Sequence, residues 1–355
     1  MSLLDDEDVL VQSRDALIVA EFLNTKYVLF GSYSIADDQV NPGLYVVNIT
    51  GDISVRDRSI SHYTNELFRF GEVTGTFHSA VCPNLISLEG APESVGVVFS
   101  CESCSKLESL KGAPKKVGKN FTCNNCIRLK SLKGAPEVIG DEFSCINCIS
   151  LKSLEYSPKK VKRYFCSGCS CIENLKGISE SVEHLVCISC ENLKSLEGSP
   201  TSLSDTMMIC RCESLKSLKG APKKVGKDFD CSSCESLETL EGAPEVVGGA
   251  FDCSNCGNLV TLKGASKIVK NMINITGCTM LKSFEGAPEV IGKCVIADRC
   301  CNIQSFDGLP KGGTYSIMST GSQFLESTDE YKKGKYKNHI ILDFREISGH
   351  SEFVR

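Results

Sequence analysis

The 355-residue chain has no tryptophan, only five histidines and no long apolar run: a stretch such as Ala16-Leu17-Ile18-Val19-Ala20 is far shorter than a bilayer-spanning helix. The histidines, His62, His78, His184, His339 and His350, follow no metal-ligand spacing and flank no nucleophile motif. No Gly-rich phosphate loop is present either, so the sequence displays no catalytic machinery and no cofactor site. Excess positive charge is also lacking: 39 Lys and Arg against 44 Asp and Glu give a net charge of -5, which argues against nucleic acid as the main partner. Asp5, Asp6, Glu7 and Asp8 stand where a secretory signal would be basic, so the expectation is a chain without signal peptide or membrane insertion, located in the cytoplasm.

What the chain has in abundance is glycine, with 30 residues, and cysteine, with 22. Both fall into a repeat. Gly-Ala-Pro begins at Gly90, Gly112, Gly134, Gly220, Gly242 and Gly286, with degenerate copies at Tyr156, Gly177, Gly198, Gly264 and Gly308. Of the ten intervals between these starts, eight are 22 residues and two are 21, a periodicity that indicates a solenoid. The consensus is V-G-x-x-F-x-C-x-x-C-x-x-L-x-S-L-x-G-A-P-x-x. Two columns, Leu85 to Ile303 and Leu88 to Phe306, are apolar in every copy, as stacked coils require to bury a shared core. The F-x-C segment alternates with period two, which predicts a short strand with Phe and the first Cys on one face and adjacent copies in parallel. The Gly-Ala-Pro segment predicts an extended or irregular back rather than a helix.

The run F-x-C-x-x-C-x-x-L is similar to the core of leucine-rich repeats. L-x-x-L-x-G-A-P-x-x-V resembles the Leu-Pro-rich half of short repeats in secreted bacterial effectors, and the full wording resembles repeat proteins of bacteriophages and other large DNA viruses. The resemblance covers about residues 47 to 325, including the entry Val47 to Val55. It implies a β-rich, leucine-rich-repeat-like right-handed stack of about 11 to 12 coils, with one parallel sheet and a mostly irregular back. Residues 1–46 are expected to form an N-terminal cap, with a helix or strand around Val9 to Leu23 and a strand at Tyr27 to Phe30. Residues 326–355 are expected to form a C-terminal cap or tail, with a closing strand at Ile340 to Phe344. If the chain is viral, host cytoplasm or virion is the implied location.

Eleven cysteines form an unbroken column: Cys82, Cys104, Cys126, Cys148, Cys169, Cys190, Cys212, Cys234, Cys256, Cys278 and Cys300. Seven more lie three residues earlier, at Cys101, Cys123, Cys145, Cys166, Cys187, Cys231 and Cys253. C-x-x-C pairs suggest zinc, but the earlier column elsewhere holds Ser79, Ile209, Ile275 and Ala297, which favours small buried side chains over ligands. Reduced structural thiols are the preferred reading; disulfides and zinc are the alternatives.

A hydroxyl or amide column from Ser87 to Ser305 is expected to hydrogen-bond between coils. Charge alternates after the turn, Glu93, Lys115-Lys116, Glu137, Lys159-Lys160, which sets opposite signs on neighbouring coils. The repeats are least regular between about 156 and 212. There the outward strand positions become Phe165, Val186 and Met208, beside Arg163, His184 and Ile188, a candidate partner-binding patch or a bend covered by another segment. The tract Tyr331-Lys332-Lys333-Gly334-Lys335-Tyr336-Lys337 mixes base and aromatic, a weak nucleic-acid signal. The ~30 residues after the last coil are too few for an effector-type catalytic domain. The expected function is therefore a non-enzymatic protein-protein interaction or scaffold protein; the alternatives are a particle component acting as a rigid spacer and a thiol-based metal or redox protein.

Overall fold

In the computed structural model the description covers residues 17–310 and the strands Ser316–Met318 and Ile341–Leu342. The chain is a parallel β-solenoid of about 11 turns at the 22-residue spacing. It divides into two units, residues 1–166 and 167–355. The tract 331–337 and the segment before residue 17 lie outside the described residues.

In the first unit a helix at 17–26 precedes β1 (Tyr27–Asp37), which pairs antiparallel with β2 (Tyr45–Val55). The helix buries Val19 and Leu23. Phe22 meets Phe68 edge-on at 5.6 Å, and Tyr27 meets Phe70 at 5.3 Å. This aromatic group closes the end of the core, where stacking alone would leave apolar surface in water. Asp38, in the hairpin loop, receives the Arg69 guanidinium at 2.6 Å, which holds its carboxyl well below the usual carboxylate range.

The coils follow as β3 (Phe68–Val73), β4 (Phe77–His78), β5 (Ser94–Val95), β6 (Val98–Ser100), β7 (Lys116–Val117), β8 (Asn120–Thr122), β9 (Val138–Ile139), β10 (Glu142–Ser144) and β11 (Arg163–Phe165). Two parallel ladders run through them. The predicted F-x-C strands pair in register as Phe77↔Phe99, Phe99↔Phe121 and Phe121↔Phe143. Val73 and the Val or Ile of each following V/I-G pair form a second ladder, Val73↔Val95↔Val117↔Ile139, so the back of the coil is more regular than its Gly and Pro content suggests.

The second unit repeats the scheme. One ladder joins β12 (His184–Val186), β14 (Met207–Met208), β16 (Phe229–Asp230), β18 (Phe251–Asp252), β20 (Met272–Asn274) and β22 (Cys294–Ile296), and continues to β23 (Ser316–Met318) and β24 (Ile341–Leu342). The other joins β13 (Ser202–Leu203), β15 (Lys224–Val225), β17 (Val246–Val247), β19 (Ile268–Val269) and β21 (Val290–Ile291). The strand expected around Ile340 to Phe344 is present at Ile341–Leu342.

Both Leu columns are fully buried, and the Phe column forms a ring stack, with centroids 5.4, 5.2 and 5.7 Å apart from Phe77 to Phe143. Each coil turns sharply after its second Leu. Ala113 N–H donates to Leu110 O at 3.0 Å across Gly112, whose φ of 89° is the left-handed conformation that such a turn needs at its third position. A second left-handed residue precedes the unbroken Cys column in every coil, from Val81 to Arg299. Asn and Gly occupy it comfortably, whereas β-branched Val81, at φ 60°, carries a cost of about 1–2 kcal/mol.

The hydroxyl column serves mainly its own coil. Ser87, Ser131, Thr239, Thr261 and Ser283 each accept a hydrogen bond from the backbone N–H two residues on, at 3.1 to 3.3 Å. Thr239 and Thr261 also donate to a carbonyl of the next coil, Lys263 O and Glu285 O. The expectation of bonding between coils thus holds for these two threonines, while the commoner duty is to brace the turn before the left-handed residue. The charge alternation does form pairs between coils, such as Lys159 with Glu137 at 3.2 Å, but they are exposed and stabilise by well under about 1 kcal/mol each.

Candidate functional site

Reactive chemistry, if the chain had any, would lie in the C-x-x-C pairs. Twenty of the 22 cysteines are buried, and all are thiols rather than disulfides. Each pair is spent on the stack. Cys126 Sγ donates to Cys101 O of the preceding coil at 3.2 Å, and Cys148 Sγ to Cys123 O at 3.2 Å. In the second unit the same bond runs from Cys212 to Cys187 O, Cys234 to Ile209 O, Cys256 to Cys231 O, Cys278 to Cys253 O and Cys300 to Ile275 O, between 3.0 and 3.4 Å. The earlier column also bonds to backbone, with Cys123 Sγ at 3.5 Å from Ser144 O. A thiol is a small apolar group with a weak donor, and this position needs both properties: volume for the core and one hydrogen for a carbonyl at the strand exit.

Burial pushes the Cys231 and Cys256 thiols well above the ordinary range and the Cys300 thiol up to about 12. Thiolate, the nucleophilic and metal-binding form, is correspondingly scarce there at neutral pH. Among the described residues no three His, Cys, Asp or Glu side chains gather into a metal-holding group. Cys171 and Cys301 are the two exposed cysteines. Titration of the native protein with a thiol reagent is accordingly expected to consume two thiols quickly and the remaining 20 only on unfolding. Rapid loss of many more would show that the columns open readily in water.

The candidate partner residues fall in both units. In the first, Arg163 is already engaged: its guanidinium makes a two-pronged contact with Asp141, at 3.0 and 2.7 Å, and reaches Glu142 at 3.4 Å. Phe165, at the end of the same strand, is half-buried. In the second unit Val186 and Met208 are register partners on adjacent strands, and Ile188 lies two residues beyond Val186. Val186 is only 7% exposed, so it forms the floor of this patch, while Ile188 and Met208 are half-buried. Neighbouring Cys210 is buried, and desolvation lifts its thiol to about 11. His184 stands 3.8 Å from Asp205, which also takes the Lys227 ammonium at 2.9 Å; that ammonium lowers the Asp205 carboxyl.

The neighbouring coils explain why Val186 and Met208 stand out. In the next three coils the Met208 position is Asp230, Asp252 and Asn274, and each side chain accepts the backbone N–H two residues on, at 2.8, 2.8 and 3.1 Å. An apolar side chain cannot do this. At Ile188 the N–H is instead satisfied by Ser167 Oγ at 3.1 Å. These two coils therefore hold an apolar side chain, buried at Val186 and half-buried at Met208, in place of a local turn brace, and Met208 is in register with a row of carboxylates at Asp230 and Asp252 that the sequence reading did not single out. Its signal was available in the periodic F-D-C wording of Phe229-Asp230-Cys231 and Phe251-Asp252-Cys253.

Two surface depressions add little chemistry. One of about 500 Å³ is lined by His62, Thr64, Asn65, Glu66 and Leu67, with His62 Nδ1 and Thr64 Oγ1 sharing a hydrogen bond inside one loop. The other, about 310 Å³, is lined by Ile86, Lys106, Glu108 and Arg128, of which Arg128 and Glu108 are paired. No helix among the described residues is long and apolar enough to cross a membrane.

These features define a class, a cysteine-rich parallel β-solenoid repeat protein. Compared with known proteins, the chain matches no family model, no curated protein and no solved structure. The likeness to leucine-rich repeats and to viral repeat proteins accordingly rests on the columns themselves.

Proposed function

We propose that the protein is a non-enzymatic interaction scaffold and that the second unit's sheet face, at His184, Val186, Ile188 and Met208, receives a protein partner. The observation that carries this reading is the exchange just described, in which two adjacent coils hold an apolar side chain where the next coils hold a backbone-bracing one, while their Leu columns and the unbroken Cys column stay unchanged. Apolar surface beside charged groups is the usual make-up of a recognition patch. Arg163 and Phe165 in the first unit are secondary candidates, because Arg163 is held by Asp141. The repeat fold supports the scaffold role, since a solenoid offers extended surface on a core that does not depend on it.

The test is co-purification from the source cells, quantified by stoichiometry, of the native chain and of Met208→Asp. Met208 is half-buried on the sheet face, so the variant is expected to keep the native thermal midpoint within a few degrees. A stoichiometric partner lost in Met208→Asp supports the site. Retention of that partner refutes the site, and absence of any stoichiometric partner refutes the scaffold reading.

A further inference from the structure

The first unit ends in a strand that sequence reasoning treated only as a cap. β1 has 11 residues, and every one of them, from Tyr27 opposite Val55 to Asp37 opposite Tyr45, is paired with β2. Among the described residues β1 has no strand on its other side. Alternate N–H and C=O groups of an antiparallel strand point away from its partner, so this edge offers a row of backbone donors and acceptors that no other described strand pairs with. Natural sheets guard such edges with Lys, Pro, bulges or brevity. Here none of these devices is used: Tyr27 to Ala36 contains no charged residue and no proline. Phe30 is 66% exposed, and Ser32 and Ser34 are exposed beside it.

We propose that the outer edge of β1 pairs antiparallel with β1 of a second copy of this chain. An antiparallel edge is complementary to itself through a two-fold axis, so one surface satisfies both copies and the assembly closes as a dimer. The sequence suits this pairing. With the axis at Ser32, Leu29 lies opposite Ile35, Phe30 opposite Ser34 and Gly31 opposite Tyr33. These are apolar, aromatic and small pairs that favour cross-strand packing, and no like charges meet until Asp37 at the end, which lies opposite Tyr27. A foreign strand has no such guarantee, because the edge carries no charge by which to select one. The proposal concerns the terminal edge and is independent of the sheet-face site.

Sedimentation of the full chain at about 20 µM, above the micromolar range of modest interfaces, is expected to give twice the 38.5 kDa chain mass. Ser32→Lys/Ser34→Lys sets the lysine at position 32 against its own copy on the axis, with the lysine at position 34 opposite Phe30 adding like charge beside it, and is expected to sediment as a monomer with the native thermal midpoint. Ser32→Thr/Ser34→Thr, uncharged and well suited to a strand, is expected to remain a dimer, which separates charge repulsion from simple damage to the hairpin. A native chain that is monomeric at this concentration overturns the proposal. So does a dimer that survives the double lysine variant, or one that the threonine variant also loses.

Discussion

Gly112→Ala is expected to lower the stability of the first unit by about 3 kcal/mol, from a left-handed cost of about 1–2 kcal/mol and a similar cost of overpacking. The first term follows from the φ of 89° at Gly112. The second is geometric. A Cβ at this position would lie 2.3 Å from Glu89 N and 2.5 Å from Leu88 C, both backbone atoms of the turn one coil earlier. A flexible side chain could move aside, but a backbone held by ladders on both sides cannot. Gly134, Gly220 and Gly242 meet the preceding coil in the same way, so the column of glycines is the contact surface by which one turn rests on the next. Urea unfolding followed by circular dichroism measures the effect, with Lys111→Ala on the exposed neighbouring residue as control. A midpoint for Gly112→Ala close to that of the control would show that the turns are not in close contact.

Phe121→Ala carries a larger expected loss, about 4 kcal/mol, and Phe121→Leu about 1 kcal/mol. Phe121 is fully buried and its ring is stacked on two others, at 5.2 Å from Phe99 and 5.7 Å from Phe143. Truncation removes the ring's own transfer energy and leaves a cavity between two rings that the ladders hold apart. The two neighbours also lose a stacking partner, so Phe99→Ala and Phe121→Ala should not be additive: the double variant is expected to lose less than the sum of the two singles, by more than about 0.5 kcal/mol. Hydrogen exchange locates the damage. Amides of β6 to β10 should lose protection first, and uniform loss throughout the first unit would instead mean that its coils unfold as one body.

Much of this architecture was legible because a repeated sequence is its own alignment. Leu129 and Leu132 could be assigned to the interior because each stands in a column that is apolar in every copy, and Phe121 and Cys123 because theirs admit almost only apolar or small side chains. The parallel strand at F-x-C followed from two-residue alternation, and the burial of the thiol columns from the small or apolar substitutes at Ile209, Ile275 and Ala297. Three features were not legible. The Val ladder is only two residues long in each coil, too short to show a period. The left-handed residues before the Cys column are chemically mixed, from Asn125 to Arg211, because the stack rather than the side chain imposes their conformation. At the candidate site, burial of Val186 depends on its neighbours across the sheet, and the bidentate hold of Asp141 on Arg163 joins residues 22 apart whose pairing no local pattern announces.

The contacts between coils depend on position within the period and hardly at all on which coil supplies them. Gly118 rests on Gly96 O as Gly140 rests on Gly118 O, and Cys126 bonds to Cys101 O as Cys148 bonds to Cys123 O. Loss of one 22-codon segment from the interior of the array would bring together surfaces that already fit, and duplication of one would add a coil that fits on both sides. Unequal recombination within the coding sequence thus becomes a tolerated event that changes the number of coils in whole steps, while the two ends and their particular surfaces pass through unaltered.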